Sequence, residues 1–235
     1  MPAMESPSTD PSLEPPWWEM RKRADSRASI DREAIVTAAI AVLDEAGLEG
    51  LSMRRVAAVL GTGAASLYWH VADKDQLIDL VLDRIMGEIE LPEPDPEHWE
   101  KQIKDFARRA RAVFRNHQDV AQASLGRVPM GPNLVRLAEW TLALLRGAGI
   151  PDQEAAWFPD LAALIGGAQA VEDHMATTAD GAFDTAMGEY LSKLPADRFP
   201  NIVATSKALV SGGADERFEF ALELLVRGLK TYIDE

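Results

Sequence analysis

The chain contains no cysteine, which removes disulfides and thiolate chemistry and fits a reducing, cytoplasmic setting. Histidine is scarce, with four in all, and no HExxH pair or nucleophile elbow is present. No uninterrupted apolar run approaches the roughly 18–20 residues a membrane span needs. The N-terminus lacks the basic-then-apolar pattern of a secretion signal, so no membrane partner is expected. Strand-like alternation and internal repeats are also missing. The glycine-rich GTGAAS, Gly61 to Ser66, half-matches a dinucleotide loop but follows a helical pattern instead of a strand and lacks the third glycine. Glu172 and His174 are two residues apart and point to different faces of a helix, poor geometry for shared metal or acid–base work. The expectation is a non-enzyme with no metal and no cofactor.

Basic charge is also in deficit: 24 Lys and Arg against 38 Asp and Glu give a formal net charge of −14. Such a balance argues at first against nucleic acid, because phosphate contacts need cations that release counterions. The bases, however, are gathered. Arg21, Lys22, Arg23, Arg27 and Arg32 face only Asp25 and Asp31 in the same stretch, and Arg54, Arg55 and Lys74 follow. The acids concentrate further on, where they would turn DNA away from the wrong face.

What is present is helical patterning. At 47% apolar over 235 residues, the chain can bury a real core. Ser52 to His70, SMRRVAAVLGTGAASLYWH, reads as two short helices hinged at a glycine. Ser52 can cap the first, and Val56, Ala57 and Leu60 form its buried side. Gly61 ends it, Thr62 and Gly63 make the turn, and Ala64 to His70 form a second helix with Leu67 and Val71 facing inward. Ser66, Tyr68, Trp69 and His70 share its outer surface. Two helices joined by a short turn are the unit that places its second helix in a DNA major groove.

The flanks complete a three-helix head. Asp31 can cap a helix whose Ile35, Ala39, Val42, Leu43 and Ala46 form one stripe, stopped at Gly47. Asp73 and Gln76 make an acidic capping box opening a connecting helix, Lys74 to Glu90, closed by Pro92. From Ile30 to about Ile89 the sequence resembles the DNA-binding domain of the tetracycline repressor (TetR) family, most specifically in LYWHVADKDQL, Leu67 to Leu77. Gly50, Leu51, Ser52, Arg54 and Gly61 match that family's entry into helix two and its turn. The resemblance implies an all-helical homodimer that binds a palindromic double-stranded DNA operator and lets go when a small-molecule effector occupies a larger C-terminal domain.

Residue roles follow. Arg54 could reach guanine O6 and N7 bidentately, or form a surface ion pair. By resemblance, Ala64, Ala65 and Tyr68 face bases, while Met53, Ser66, His70 and Lys74 lie where the family touches phosphates. The tetracycline repressor carries glutamine and proline where Ala64 and Ala65 stand, so the operator should differ. Trp69 shares this DNA-facing surface and is expected in part to pack the helix against its neighbour.

Three regions are expected: a disordered extension with a basic arm (1–27), the head (28–76), and a ligand-binding and dimerisation domain (77–235). Trp17 and Trp18 precede the basic run, an arm that either packs on the head or reaches along a DNA groove. LPEPDPEHW, Leu91 to Trp99, marks the domain junction. Beyond it come a stripe from Trp99 to Phe114, a helix with Leu134 to Leu145, and a helix from about Asp152 through Leu164 to Thr178. Ala179 to Gly213 reads as a short helix and a mobile loop, followed by a last helix, Asp215 to Ile233. Helices 160–178 and 215–233 resemble in position the family's dimer-forming pair.

For the effector, Trp99, Phe106, Met130, Trp140, Trp157, Phe158 and Met175 supply an apolar lining, with Gln169, Glu172 and His174 as polar anchors. Met86 and Ser124 stand where the tetracycline repressor has drug-contacting histidines, so a flat, largely apolar or aromatic effector is expected in place of a magnesium–tetracycline complex. The rival reading is a protein-binding adaptor whose helix-turn-helix no longer binds DNA.

Overall fold

A computed structural model describes residues 30–117, 119–127, 131–159 and 182–233. Among these residues the fold is all-helical. The helices are α1 (Arg32–Gly50), α2 (Met53–Val59), α3 (Ala64–Leu67), α4 (Lys74–Met86), α5 (Trp99–Arg115), α6 (Val120–Ser124), α7 (Pro132–Gly147), α8 (residues 152–159), α9 (Ala182–Ser192), α10 (Pro200–Val210) and α11 (Ala214–Lys230). The chain divides into two compact units, one ending at Gly147 and the other starting at Ala148. Leu91 to Trp99 therefore lies inside the first compact unit, ahead of α5, α6 and α7.

Local chemistry starts three of the first four helices. The side chains of Asp31, Ser52 and Asp73 accept hydrogen bonds from the backbone N–H groups of Ala34, Arg55 and Gln76, at 2.8, 3.3 and 2.8 Å, each satisfying a donor the helix cannot. Gln76 reaches back one residue beyond the cap, accepting from the Ala72 N–H at 2.6 Å. Gly47 leaves helical geometry, yet one more turn continues to Gly50. α4 ends at Met86, capped by Gly87, so the connecting helix is shorter than Lys74 to Glu90. α3 is a single turn.

The head's core joins Ile35, Ala39, Val42 and Leu43 of α1 to Val56 of α2, Leu67 of α3, and Leu77, Val81 and Ile85 of α4. Val120 and Ala123 of α6 are buried in this same core. Where a short helix and a mobile loop are expected between Ala179 and Gly213, the described part holds two packed helices, α9 and α10. Pro200 sits in the first turn of α10, where a missing N–H costs nothing. No described helix is long and apolar enough to cross a membrane. The expected extension and arm, with Trp17 and Trp18, lie outside the described residues, as does the whole of helix 160–178.

Candidate nucleic-acid interface and its attachments

The reading surface is anchored from below. Leu67 and Val71 are fully buried, and the turn before them is held by the Thr62 N–H donating to the Ala57 carbonyl at 2.9 Å and by Thr62 Oγ1 donating to Ser66 Oγ at 3.2 Å. Gly61 takes φ +64° there, a left-handed conformation that a side chain would strain. With α3 fixed inward, its outer groups are set: Ala65 is exposed, and Ala64, Ser66 and His70 are half-buried. Tyr68 is 54% and Trp69 72% exposed. Trp69 does not pack the helix against its neighbour, contrary to the sequence expectation. Instead two adjacent aromatics stand in solvent, offering an apolar face, a phenol O–H and an indole N–H.

Arg54 is exposed at the start of α2, while Arg55 pairs with Glu45 at 3.8 Å. Two expected phosphate contacts are placed differently. The Met53 side chain is buried in the core, because the first residue of α2 faces α1 and the interior. Lys74 directs Nζ to the Leu48 carbonyl at 3.2 Å, which closes the kinked end of α1 onto the start of α4.

Around this head lies a set of attachments that sequence reading missed. The Leu48 peptide unit is clasped from its other end too, its N–H donating to Asp119 Oδ2 at 2.9 Å. His117 places Nδ1 3.1 Å from both carboxylate oxygens of Asp44 and Nε2 3.1 Å from Glu88. Beyond α6, Arg127 pairs with Asp75 and Asp79 on α4, and these carboxylates hold its guanidinium pKa above the usual value. Asp83, buried on α4, accepts hydrogen bonds from the N–H groups of Asn133 and Leu134 at 3.1 and 3.0 Å and from the Asn133 side chain at 3.1 Å. Burial raises its pKa against the pull of those donors. A side chain at Gly131 would overlap this carboxylate. In return, Arg136 of α7 donates to the carbonyls of Met86 and Ile89 at 3.3 and 3.1 Å, capping the end of α4.

Of the expected effector-lining residues, Phe106 and Trp140 meet, with ring centroids 5.3 Å apart and planes tilted by 38°. Trp99 is buried one helical repeat before Phe106 on α5. Trp140 Nε1 donates to the Pro92 carbonyl at 2.6 Å, tying the proline run to α7. Trp157 is 60% exposed on the second unit, and Phe158 beside it is buried. Met130, Gln169, Glu172, His174 and Met175 lie outside the described residues. Met86 is half-buried at the end of α4, and the Ser124 hydroxyl donates to the Ala121 carbonyl.

The family description "Bacterial regulatory proteins, tetR family" matches residues 35–81, and "Tetracyclin repressor-like, C-terminal domain" matches residues 91–233. The chain belongs to the TetR family. It is 31% identical to the HTH-type transcriptional repressor DrrR1 of Streptomyces coeruleorubidus, over 92% of this chain and 84% of that protein. It is also 36% identical over 133 residues to an HTH-type transcriptional regulator of Saccharopolyspora erythraea, covering 57% of this chain and 56% of that one. Apo ActR from Streptomyces coelicolor superposes with a TM-score of 0.82 at 40% identity, over 89% of this chain and 99% of ActR, and ActR has also been solved in complex with actinorhodin. The TetR-family chain described here is accordingly a ligand-responsive, DNA-binding transcriptional regulator.

Proposed function

We propose that the chain is a cytoplasmic homodimeric repressor that binds a palindromic operator through α2 and α3 and is released by a flat, largely apolar or aromatic effector. The observation that carries the DNA half is the pair Tyr68 and Trp69, left in solvent directly after α3, whose last residue, Leu67, is fully buried. Aromatics so exposed suit a groove wall and base methyls better than water. The head would extend to about Gln76, with the remainder serving the effector and the partner.

Dimerisation is supported by α11. Phe218, Leu222, Val226 and Leu229 are buried along one stripe, while Phe220 and Leu224, one turn apart on another, are 67% and 54% exposed. A helix apolar on two sides needs a second partner, and a second copy of the chain supplies one with twofold symmetry.

The effector half is supported by the aromatic lining on α5 and α7 and by the 40% identity with ActR, whose solved complexes hold (S)-DNPA and actinorhodin. Occupation would shift α4 and change the spacing of two heads that must meet grooves about 34–36 Å apart. Titration of the protein on operator duplex with each of these two compounds tests this. Release at micromolar concentration supports the reading; tight magnesium-dependent binding of tetracycline, with no release by either compound, overturns the effector class.

A further inference from the structure

His117 follows the Asn116 cap at the end of α5 and sits between two acids from different parts of the head. Asp44 comes from the middle of α1, 73 residues away in sequence, and Glu88 follows the end of α4. Both ring nitrogens are within 3.1 Å of carboxylate oxygen, and the side chain is only 11% exposed. A neutral imidazole has one N–H and one lone pair. It can satisfy Asp44 or Glu88, but it then turns its lone pair on the other carboxylate. Only the imidazolium donates to both.

We propose that His117 is a proton-requiring strut between the effector-domain helix α5 and the DNA-reading head, so that operator affinity is tied to pH through this residue. The inference rests on the DNA-binding reading above and adds an input to it besides the effector. The surrounding charges agree. Burial opposes the charged ring, yet the hydrogen bonds and charges of Glu88 and Asp44 outweigh it and raise the histidine pKa above 6.5. Among the other ionisable groups of this region, Asp119 receives the Leu48 N–H, Arg84, one turn before Glu88, pairs with Glu33 at 3.1 Å, and Arg115 stands on the last turn of α5. Three residues beyond His117, Val120 enters the head core, so the strut stands where α5 and α6 meet the head.

The direction follows from linkage. The docked head binds the proton more tightly than a loosened one, so the stabilisation is complete below the ordinary histidine pKa and fades as pH rises through the raised one. A head freed from α5 samples more orientations, and two heads meet successive grooves less often. DNA affinity should therefore fall with rising pH.

The experiment uses the full chain and a labelled duplex recovered by selection from a random pool, titrated from pH 6 to 8.5 at fixed ionic strength. The wild type and His117→Gln are compared, with thermal midpoints recorded without DNA over the same range. His70, on the DNA-facing side, is present in both proteins, so its contribution is common to the two curves. Expected is a wild-type loss of affinity with pH about 3–10-fold larger than that of His117→Gln, and a gap in thermal midpoint that closes towards pH 8.5. Equal pH slopes in two folded proteins would overturn the proposal, as would a midpoint gap independent of pH. A selection that yields no bound duplex, with the midpoint gap still closing, would overturn the DNA reading and leave the strut in place.

Discussion

Asp83 on the connecting helix serves as the N-terminal cap of another helix, α7, by accepting hydrogen bonds from the backbone N–H groups of Asn133 and Leu134. Arg136 on α7 answers by capping the end of α4. Each helix thus satisfies the terminal groups that the other leaves open. A displacement of α7 must carry α4 with it or break these bonds, which makes the pair the natural path from the effector domain to the head.

Asp83→Ala would leave the N–H groups of Asn133 and Leu134 without their buried acceptor. Hydrogen bonds to a charged group contribute about 1.5–3 kcal/mol each; offset in part by the burial of Asp83 that raises its pKa, the two give an expected loss of about 2–4 kcal/mol in unfolding free energy, measured by denaturant titration. A change below about 0.5 kcal/mol would show that solvent replaces the carboxylate.

Arg54→Ala and Trp69→Ala should separate binding from folding. Both side chains are exposed, so stability should change by no more than about 0.5 kcal/mol. Arg54→Ala should weaken operator binding by about 1–3 kcal/mol and relax preference at one base pair in each half-site. Equal loss on every sequence would assign Arg54 to phosphate instead.

Leu67→Ala acts the other way. The side chain is fully buried beneath α3, and truncation there should cost about 2–5 kcal/mol. Both the thermal midpoint and DNA affinity should drop. Affinity retained at full stability would mean that α3 is not positioned by the core.

The N-terminal basic run should carry part of the DNA attraction, since Arg32, Arg54, Arg55 and Lys74 are outnumbered by acids between Ile30 and Gln76. Deleting residues 1–27 should lower the slope of log affinity against log salt by roughly 0.9 for each phosphate contact removed. An unchanged slope would exclude the arm from the interface.

What could be read in the sequence was local. Asp31, Ser52 and Asp73 bond within their own first turns, three residues on, so spacing alone announces them. Leu67 and Val71 declare the inner side of α3 by periodicity. Met53 and Trp69 were misplaced because the facing of a residue at the edge of a short helix depends on what packs beside it. The attachments were invisible for a different reason. His117 meets Asp44 across 73 residues and Asp83 meets Asn133 across 50, and no periodicity links residues brought together only by tertiary packing. Between Ala182 and Val210, proline reads as a breaker, whereas Pro200 opens a helix.

The most direct test of the whole account is selection of bound duplexes from a random pool at two salt concentrations, followed by sequencing and titration of the recovered DNA. The account predicts one palindromic motif with half-sites spaced for two heads and a steep loss of affinity at the higher salt. A folded, dimeric protein that enriches no motif at either salt would contradict it.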